Sequence, residues 1–312
     1  MQSTSHRIVI LGTGGTIAGH ALSAADNVGY RSGAISVESL VTALPGLGKV
    51  PLDCEQVAQI DSKDMSFALW QRLAQRVQAH RDRPEVAGVV ITHGTDTLEE
   101  TAFFLHQVLP PGKPVVLTAA MRPASSTQAD GPQNLLDAVG VAGDPGAAGV
   151  VVVFGGQVFG AEGLRKVHGY RLDAFAAGES GPVAMIEEGH LRPLRPWPAP
   201  AGLGLQAVAA DIGSWPRVAW VTSHAGFDAG QVDALVAAGF DGIVVAGTGN
   251  GTLHEALISA LQRAQAGGVA VRLCSRCGQG RIVGDSEFPT GEPVGPAQLR
   301  VALILELLTA RC

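Results

Sequence analysis

The sequence predicts an α/β protein of two domains, a larger N-terminal one on a mainly parallel sheet and a smaller C-terminal one on a second parallel sheet, joined by a linker. Three observations carry this reading. First, Val- and Ile-rich runs without polar interruption, "RIVIL" (7–11), "VAGVVIT" (86–92), "KPVVLTAA" (113–120) and "AGVVVVF" (148–154), suit strands covered on both faces. Second, helical periodicity fills the gaps: Met65, Leu69, Leu73 and Val77 recur every four residues, and Leu98, Ala102, Leu105 and Leu109 share a face. Thr97 and Glu100 form a T-x-x-E capping box ahead of that second helix. Third, the alternation lapses in the proline-rich "RPLRPWPAPAGLGLQ" (192–206). It resumes in "RVAWVTSHAG" (217–226), "FDGIVVAGTGNG" (240–251), "GVAVRLCS" (268–275) and the closing helix "PAQLRVALILELLTA" (296–310). The boundaries that follow are 1–190 for the first domain, 191–213 for the linker and 214–312 for the second domain. In such a fold the ligand is expected at the carboxyl ends of the strands.

A chain of 312 residues can bury two cores, and 46% hydrophobic with 16% charged residues excludes a disordered chain. The net charge of −6 argues against a nucleic-acid or anionic-membrane surface. The opening "MQSTSHRIVIL" has too short an apolar stretch for a signal peptide, and no run approaches the roughly 20 residues of a membrane span, so a cytoplasmic location is expected. Cysteines occur at 54, 274, 277 and 312. Cys274 and Cys277 form a C-x-x-C that reads either as a redox pair or as half a zinc site, but no second pair or nearby histidine completes a metal set. Cys312, at the terminus, reads as incidental.

Chemistry points to two glycine-bearing turns. "LGTGGTIAG" (11–19) follows a strand, as a phosphate cradle would. The dinucleotide fingerprint fails because its third glycine falls on Ile17, and the P-loop fails because His20 and Ala21 stand where Lys and Ser/Thr belong. What remains is bare backbone at Gly14 and Gly15, able to approach a ligand closely, and the hydroxyl of Thr16. Taken alone, the stretch fits an ordinary tight strand-to-helix turn with an idle hydroxyl better. The second turn lies in "VVITHGTDTLEETAFFL" (89–105), where Thr95 and Asp96 sit between a strand end and a helix N-terminus. Unpaired N–H groups and the positive end of the helix dipole would stabilise a carboxylate or a developing oxyanion there. Here too, Thr95 and Asp96 could simply cap the helix, and His93 reads as structural. A threonine nucleophile needs a base or a proton-sharing neighbour. Lys166 in "GLRKVHGYR" (163–171) and the two tyrosines, Tyr30 and Tyr170, are available.

"GTGGTIAG" (12–19) and "THGTDTLEETAFFL" (92–105), in that order, resemble the two signature motifs of the bacterial-type L-asparaginase (asparaginase–glutaminase) family. The likeness continues through "YRSGAISVESL" (30–40), "IDSKDM" (60–65), "AAMRPASSTQADGPQNLLDAV" (119–139) and "FDGIVVAGTGNGTL" (240–253), and so covers most of the chain. It implies an L-asparagine amidohydrolase that releases aspartate and ammonia through an acyl-enzyme, with no metal and no cofactor. It also implies self-association as an intimate dimer or a tetramer, and no nucleic-acid or membrane partner. Under this resemblance Thr16 is the nucleophile and Tyr30, in a closing loop, helps take its proton; Thr95, Asp96 and Lys166 form a second relay. Gly15 and Ala120 bound the substrate, Ser62 binds its α-carboxylate, and Asp96 pairs with its α-ammonium. Asn250 matches a residue that orders the neighbouring subunit's site.

The chain departs from the family pattern in three places. Lys63 stands where many members have Gln. "RKVHGYRLDAF" (165–175) is closer to the cytoplasmic type and "MRPASSTQADGP" (121–132) to the periplasmic type. "CGQGRIVGDSEFPTGEP" (277–293) is shorter than the family segment that supplies a partner-subunit glutamate, leaving Glu287 as its nearest counterpart. The alternative readings are a broader glutaminase–asparaginase that also takes L-glutamine, an amidotransferase subunit acting on aminoacylated tRNA, which the acidic charge counts against, and a non-catalytic amino-acid-binding protein on the same fold.

Overall fold

The computed structural model describes residues 6–48, 50–291 and 294–311, and Cys312 lies outside them. The chain divides into two compact units, Met1–Ala177 with Gly181–Leu205, and Gly178–Ser180 with Gln206–Cys312. The first unit runs β1 (Arg7–Gly14), α1 (Val37–Thr42), β2 (Leu52–Ile60), α2 (Phe67–Arg81), β3 (Val86–Thr92), α3 (Leu98–Val108), β4 (Val115–Thr118), α4 (Gly131–Gly143) and β5 (Val150–Phe154). It continues with β6 (Gln157–Gly160), β7 (Arg165–Lys166), β8 (Phe175–Ala176), β9 (Ala184–Glu187) and β10 (His190–Pro193). The second unit carries β11 (Val218–Thr222), α5 (Gly230–Ala237), β12 (Gly242–Gly247), α6 (Glu255–Ala266), β13 (Ala270–Ser275) and α7 (Pro296–Thr309).

The large sheet has eight strands in the order β10-β9-β6-β5-β4-β3-β1-β2. From β5 through β2 every neighbour is parallel, and β6, β9 and β10 extend the sheet antiparallel. The uninterrupted apolar runs are explained by burial on both faces. Ile8, Ile10, Val90, Val116, Val151 and Val153 join one core with residues of α1 and α4. The alternating residues Val9, Leu11, Val89, Ile91, Leu117 and Val152 point the other way and are fully buried as well. That second face is covered by α2 and α3, which meet where Trp70 stacks on Phe104 at 5.0 Å. The second unit repeats the principle on a smaller scale, with a three-stranded parallel sheet β11-β12-β13 and a core that includes Val232, Ile243, Leu257, Leu261 and Leu273.

Local details differ from the sequence pattern for identifiable reasons. Helix α2 starts at Phe67, because Ser66 caps it by accepting from the Leu69 N–H; Met65 closes the preceding turn Ser62–Asp64. The capping box expected at Thr97 does not form: the Thr97 side chain caps nothing, and its hydroxyl donates instead to the Ser62 carbonyl at 2.7 Å. A tertiary partner has outbid the local one. In the expected linker region, 191–213, β10 of the β9–β10 hairpin runs to Pro193, a short 3-10 turn forms at Leu205–Val208, and a second, Ile212–Ser214, begins at its end. Among the described residues, no helix is long and apolar enough to cross a membrane.

The order β2-β1-β3-β4-β5 places the topological switch between β1 and β3, where a crevice opens at the strand carboxyl ends. There the turns after the two strands touch. Gly15 has φ +80°, and a Cβ built on it would lie 2.3 Å from the Gly94 Cα. A Cβ on Gly94 would meet the Ser62 Oγ at 2.5 Å. Backbone contact is therefore possible only with glycine at both places. The Gly15 N–H donates to Ile60 C=O at 2.8 Å and its own carbonyl accepts from Gly33 N–H at 3.1 Å, so the turn cannot yield.

Gly15→Ala is expected to destabilise the protein by more than about 2 kcal/mol, through strain at positive φ added to the clash, as measured by urea unfolding. A second expectation concerns Glu55 on β2. Its carboxylate receives Arg76 at 2.7 and 2.8 Å and meets His80 at 2.7 Å. Hydrogen bonds from Arg76 above all hold its pKa at about 2, against an ordinary 4.5. A depressed carboxylate stabilises the fold above its unfolded pKa, and that stability is lost as pH falls from about 4.5 through about 2. Glu55→Gln should remove stability on the order of 2 kcal/mol at pH 7 and flatten the decline in Tm across that acid window.

Candidate active site

Three adjacent strand ends supply the site. Strand β1 leads through Gly15 into a 3-10 turn that Thr16 opens, β2 leads into the turn Ser62–Asp64, and β3 leads through Gly94 to Thr95 and Asp96. Because Gly15 and Gly94 are in contact, Thr16 and Thr95 each follow the touching point by one residue. Thr16 is buried, and its Oγ1 lies 2.7 Å from the Tyr30 hydroxyl, with either oxygen able to donate. Tyr30 is held close by a backbone bridge in which His20 and Arg31 exchange N–H···O bonds of 3.1 and 2.9 Å. A Cβ on Gly19 would lie 2.8 Å from the tyrosine ring, so glycine is needed there for the ring to settle. Ile17, Ala18 and the fully buried Ala120 pack together beside the turn. The backbone after Ala120 is shaped by Asp130, whose carboxylate accepts from the Met121 and Arg122 N–H groups, both at 2.9 Å.

The second turn forms a charged relay. The Lys166 ammonium donates to Thr95 Oγ1 at 2.8 Å and to Asp96 Oδ1 at 2.6 Å. Since Lys166 donates to Thr95, the threonine's own proton is directed elsewhere. Thr95 is buried, whereas Asp96 is exposed and keeps its second carboxylate oxygen for another cation. Ser62, 2% exposed, accepts from the Asp96 N–H at 3.1 Å, which leaves its hydroxyl proton able to donate to an anion. Lys63, beside it, is exposed and pairs with Asp64 at 2.5 Å; that partner first, with Asp61 and Asp96 adding, raises its pKa.

Behind the turn runs a buried chain of hydrogen bonds whose direction chemistry fixes. Trp70 Nε1–H donates to Thr101 Oγ1 at 2.9 Å, and that hydroxyl lies 3.0 Å from His93 Nε2. His93 Nδ1 lies 2.7 Å from the Gly94 carbonyl, which can only accept. His93 must therefore carry its proton on Nδ1 and accept from Thr101. Burial pushes its pKa down to about 4, so it is neutral at physiological pH and holds the turn in place. Glu99, in the first turn of α3, accepts a hydrogen bond from the backbone N–H of Lys166, and desolvation raises its pKa to about 7. The sequence reading singled out neither Gly94 nor Glu99. Spacing offered one signal for Glu99: it stands three residues after Asp96, on the same side of the helix start.

Asn250 lies in the second unit, where its side-chain amide is engaged at both ends: Nδ2 donates to Val283 C=O and Oδ1 accepts from Val283 N–H, each at 2.8 Å. Glu287 lines the same hollow as Asn250, together with Asp285 and Ser286. Cys274 is buried in β13 and Cys277 is exposed beyond it. Among the described residues, no cluster of three or more His, Cys, Asp or Glu side chains could hold a metal ion.

Comparison with known proteins identifies the family. The sequence model for "Asparaginase, N-terminal" matches residues 7–198, and that for "Glutaminase/Asparaginase C-terminal domain" matches 217–305. L-asparaginase 2 of Escherichia coli (strain K12) is 38% identical over 313 residues, covering 96% of this chain and 88% of that protein. The glutaminase-asparaginase of Pseudomonas fluorescens biotype A is 35% identical over 279 residues, covering 88% of this chain and 77% of that protein. The crystal structure of a probable cytoplasmic L-asparaginase from Campylobacter jejuni matches with a TM-score of 0.90 at 34% identity, covering 97% of this chain and 95% of that one. With both of its domain models matched in order along one chain, and a threonine on each of two touching turns, this protein belongs to the bacterial-type asparaginase family.

Proposed function

We propose that the protein hydrolyses L-asparagine to L-aspartate and ammonia, with Thr16 as nucleophile. The observation that carries the reading is the pairing of two activated hydroxyls on touching turns: Thr16 with Tyr30, and Thr95 with Lys166 and Asp96. In the first half-reaction Thr16 Oγ1 attacks the side-chain amide carbon. Its proton passes through Tyr30 to the departing nitrogen, which leaves as ammonia, and a β-aspartyl ester remains on Thr16. In the second, water adds to the ester carbon, a proton returns to Thr16, and aspartate departs. Thr95, polarised by the Lys166 ammonium, donates its hydroxyl hydrogen bond to the carbonyl oxygen as negative charge develops there, in both half-reactions.

The charged ends of the substrate are met by complementary groups. Ser62 donates to the α-carboxylate, and the unengaged oxygen of Asp96 receives the α-ammonium. Each charge-assisted contact is worth roughly 1.5–3 kcal/mol, enough to demand a free amino acid over a simple amide. Gly15 and Ala120 line the amide with backbone and a methyl group. None of these steps calls on a metal or a cofactor. Assembly into an intimate dimer or tetramer, with Asn250 serving the neighbouring subunit, belongs to the same proposal, as does a cytoplasmic location, which similarity to the probable cytoplasmic L-asparaginase of Campylobacter jejuni supports. L-glutamine is the second candidate substrate, favoured by the Pseudomonas fluorescens relative's name. One added methylene is worth only about 1–3 kcal/mol in a pocket, so preference for asparagine is expected to be about 10- to 200-fold at most unless the second substrate is excluded sterically.

Steady-state ammonia release from asparagine and glutamine, measured side by side, tests the assignment. Thr16→Ala and Thr95→Ala should each lower kcat by about three orders of magnitude or more while circular dichroism stays unchanged. Ammonia release at the wild-type rate from Thr16→Ala would sink the nucleophile assignment, and binding of asparagine without turnover by the wild-type protein would favour the amino-acid-binding alternative.

A further inference from the structure

The catalytic lysine is delivered by a very short strand, β7, which spans only Arg165–Lys166 and pairs with Phe175–Ala176 of β8. The hairpin continues past the lysine, Val167 and His168 N–H both donating to Ala174 C=O at 2.8 and 3.3 Å. But it pairs only with itself, and the lysine must hold two partners outside it at 2.8 and 2.6 Å. Helix α3 supplies what the strand lacks, at two places. Glu99 in its first turn accepts the Lys166 backbone N–H. Further along, the buried His106 meets Glu162, four residues before the lysine, at 3.5 Å. The same helix start carries Asp96 and follows Thr95, so Glu99 ties the base of the lysine side chain to the element that presents its two targets. The groups around Glu99 are Arg165 and Lys166 from β7, which favour its anion, and Glu100 on its own helix, which disfavours it. Strand β5, on which α3 also packs, consists of valines and Phe154, and α2 meets α3 through Trp70 against Thr101 and Phe104.

We propose that Glu99 is a positioning residue for the relay: by accepting the Lys166 backbone N–H it fixes the lysine Cα so that its ammonium reaches Thr95 and Asp96 together. The proposal rests on the reading of Thr95–Lys166–Asp96 as a catalytic relay. It also accounts for the retention of an expensive group. A carboxylate raised from 4.5 to about 7 favours the folded state at low pH, and it withdraws that support as pH rises through this window. The anion is nonetheless the stronger acceptor for an N–H, so the contact tightens as Glu99 ionises.

The test is kinetic and uses the full-length chain with asparagine. Lys166→Met is expected to lower kcat by about 100-fold or more, and a wild-type kcat in that variant overturns the relay and the Glu99 role with it. With the relay upheld, Glu99→Ala should lower kcat by about 10-fold or more and change KM by less than about threefold, as misplacing a group by an ångström does. Glu99→Gln keeps an oxygen facing the Lys166 N–H. It should restore kcat to within about threefold and lose the limb of the kcat profile near pH 7 that the titrating carboxyl contributes. A folded Glu99→Ala with wild-type kcat and an unmoved pH profile overturns the proposal while leaving the relay standing, and so does a Glu99→Gln no better than Ala. If Glu99→Ala does not fold, Glu99→Met takes its place: a folded Met variant with wild-type kcat overturns the proposal, and a loss of about 10-fold or more that Glu99→Gln does not share upholds it.

Discussion

The site depends on one contact between two stretches of bare backbone. Gly15 and Gly94 follow neighbouring parallel strands; a Cβ on Gly15 would run into the Gly94 backbone, and one on Gly94 into the Ser62 side chain. Parallel neighbours run in register, Gly12 opposite Thr92, so the turns that follow them must emerge side by side. The switch in strand order at this position sends the following segments to opposite faces of the sheet and leaves the space beyond the contact open. Thr16 and Thr95 each stand one residue past the contact, the first bonded to Tyr30 and the second to Lys166.

Around this contact the protein separates its electrostatics into layers. Buried beneath the second turn, His93 is neutral, and its two nitrogens are committed to Thr101 and to Gly94, which makes it scaffolding. The ion pair lies farther out, where Lys166 meets the exposed Asp96. Desolvation in this fully buried site is what keeps His93 uncharged.

How much could be read from the chain alone follows from which forces are local. The parallel strands were legible because burial on both faces writes itself as unbroken Val and Ile runs, as at Val150–Phe154. The antiparallel extension was not: β6, β9 and β10 have four residues each, and β10 ends in a proline-rich stretch that reads as irregular. Thr16 and Thr95 stood out because glycines beside them mark tight turns, but a turn alone did not distinguish catalysis from capping. Lys166 had no local signature at all, since its partners lie 70 and 71 residues away, and only the family resemblance pointed to it. The capping box at Thr97 failed for the same reason in reverse, a distant carbonyl at Ser62 taking the hydroxyl that local spacing assigned to the helix.

The ion pairs on β2 also bear on how the protein behaves in crowded solution. β2 is an outermost strand of the large sheet, and an exposed strand edge invites another chain to add itself. Asp53 is bound by Arg7 and Arg83, and Glu55 by Arg76, so an incoming strand would have to strip paired charges before it could hydrogen-bond. At the opposite margin β10 ends in Pro193, which has no N–H to offer, and its Arg192 is paired with Glu187. Both margins thus carry features that disfavour the addition of another strand.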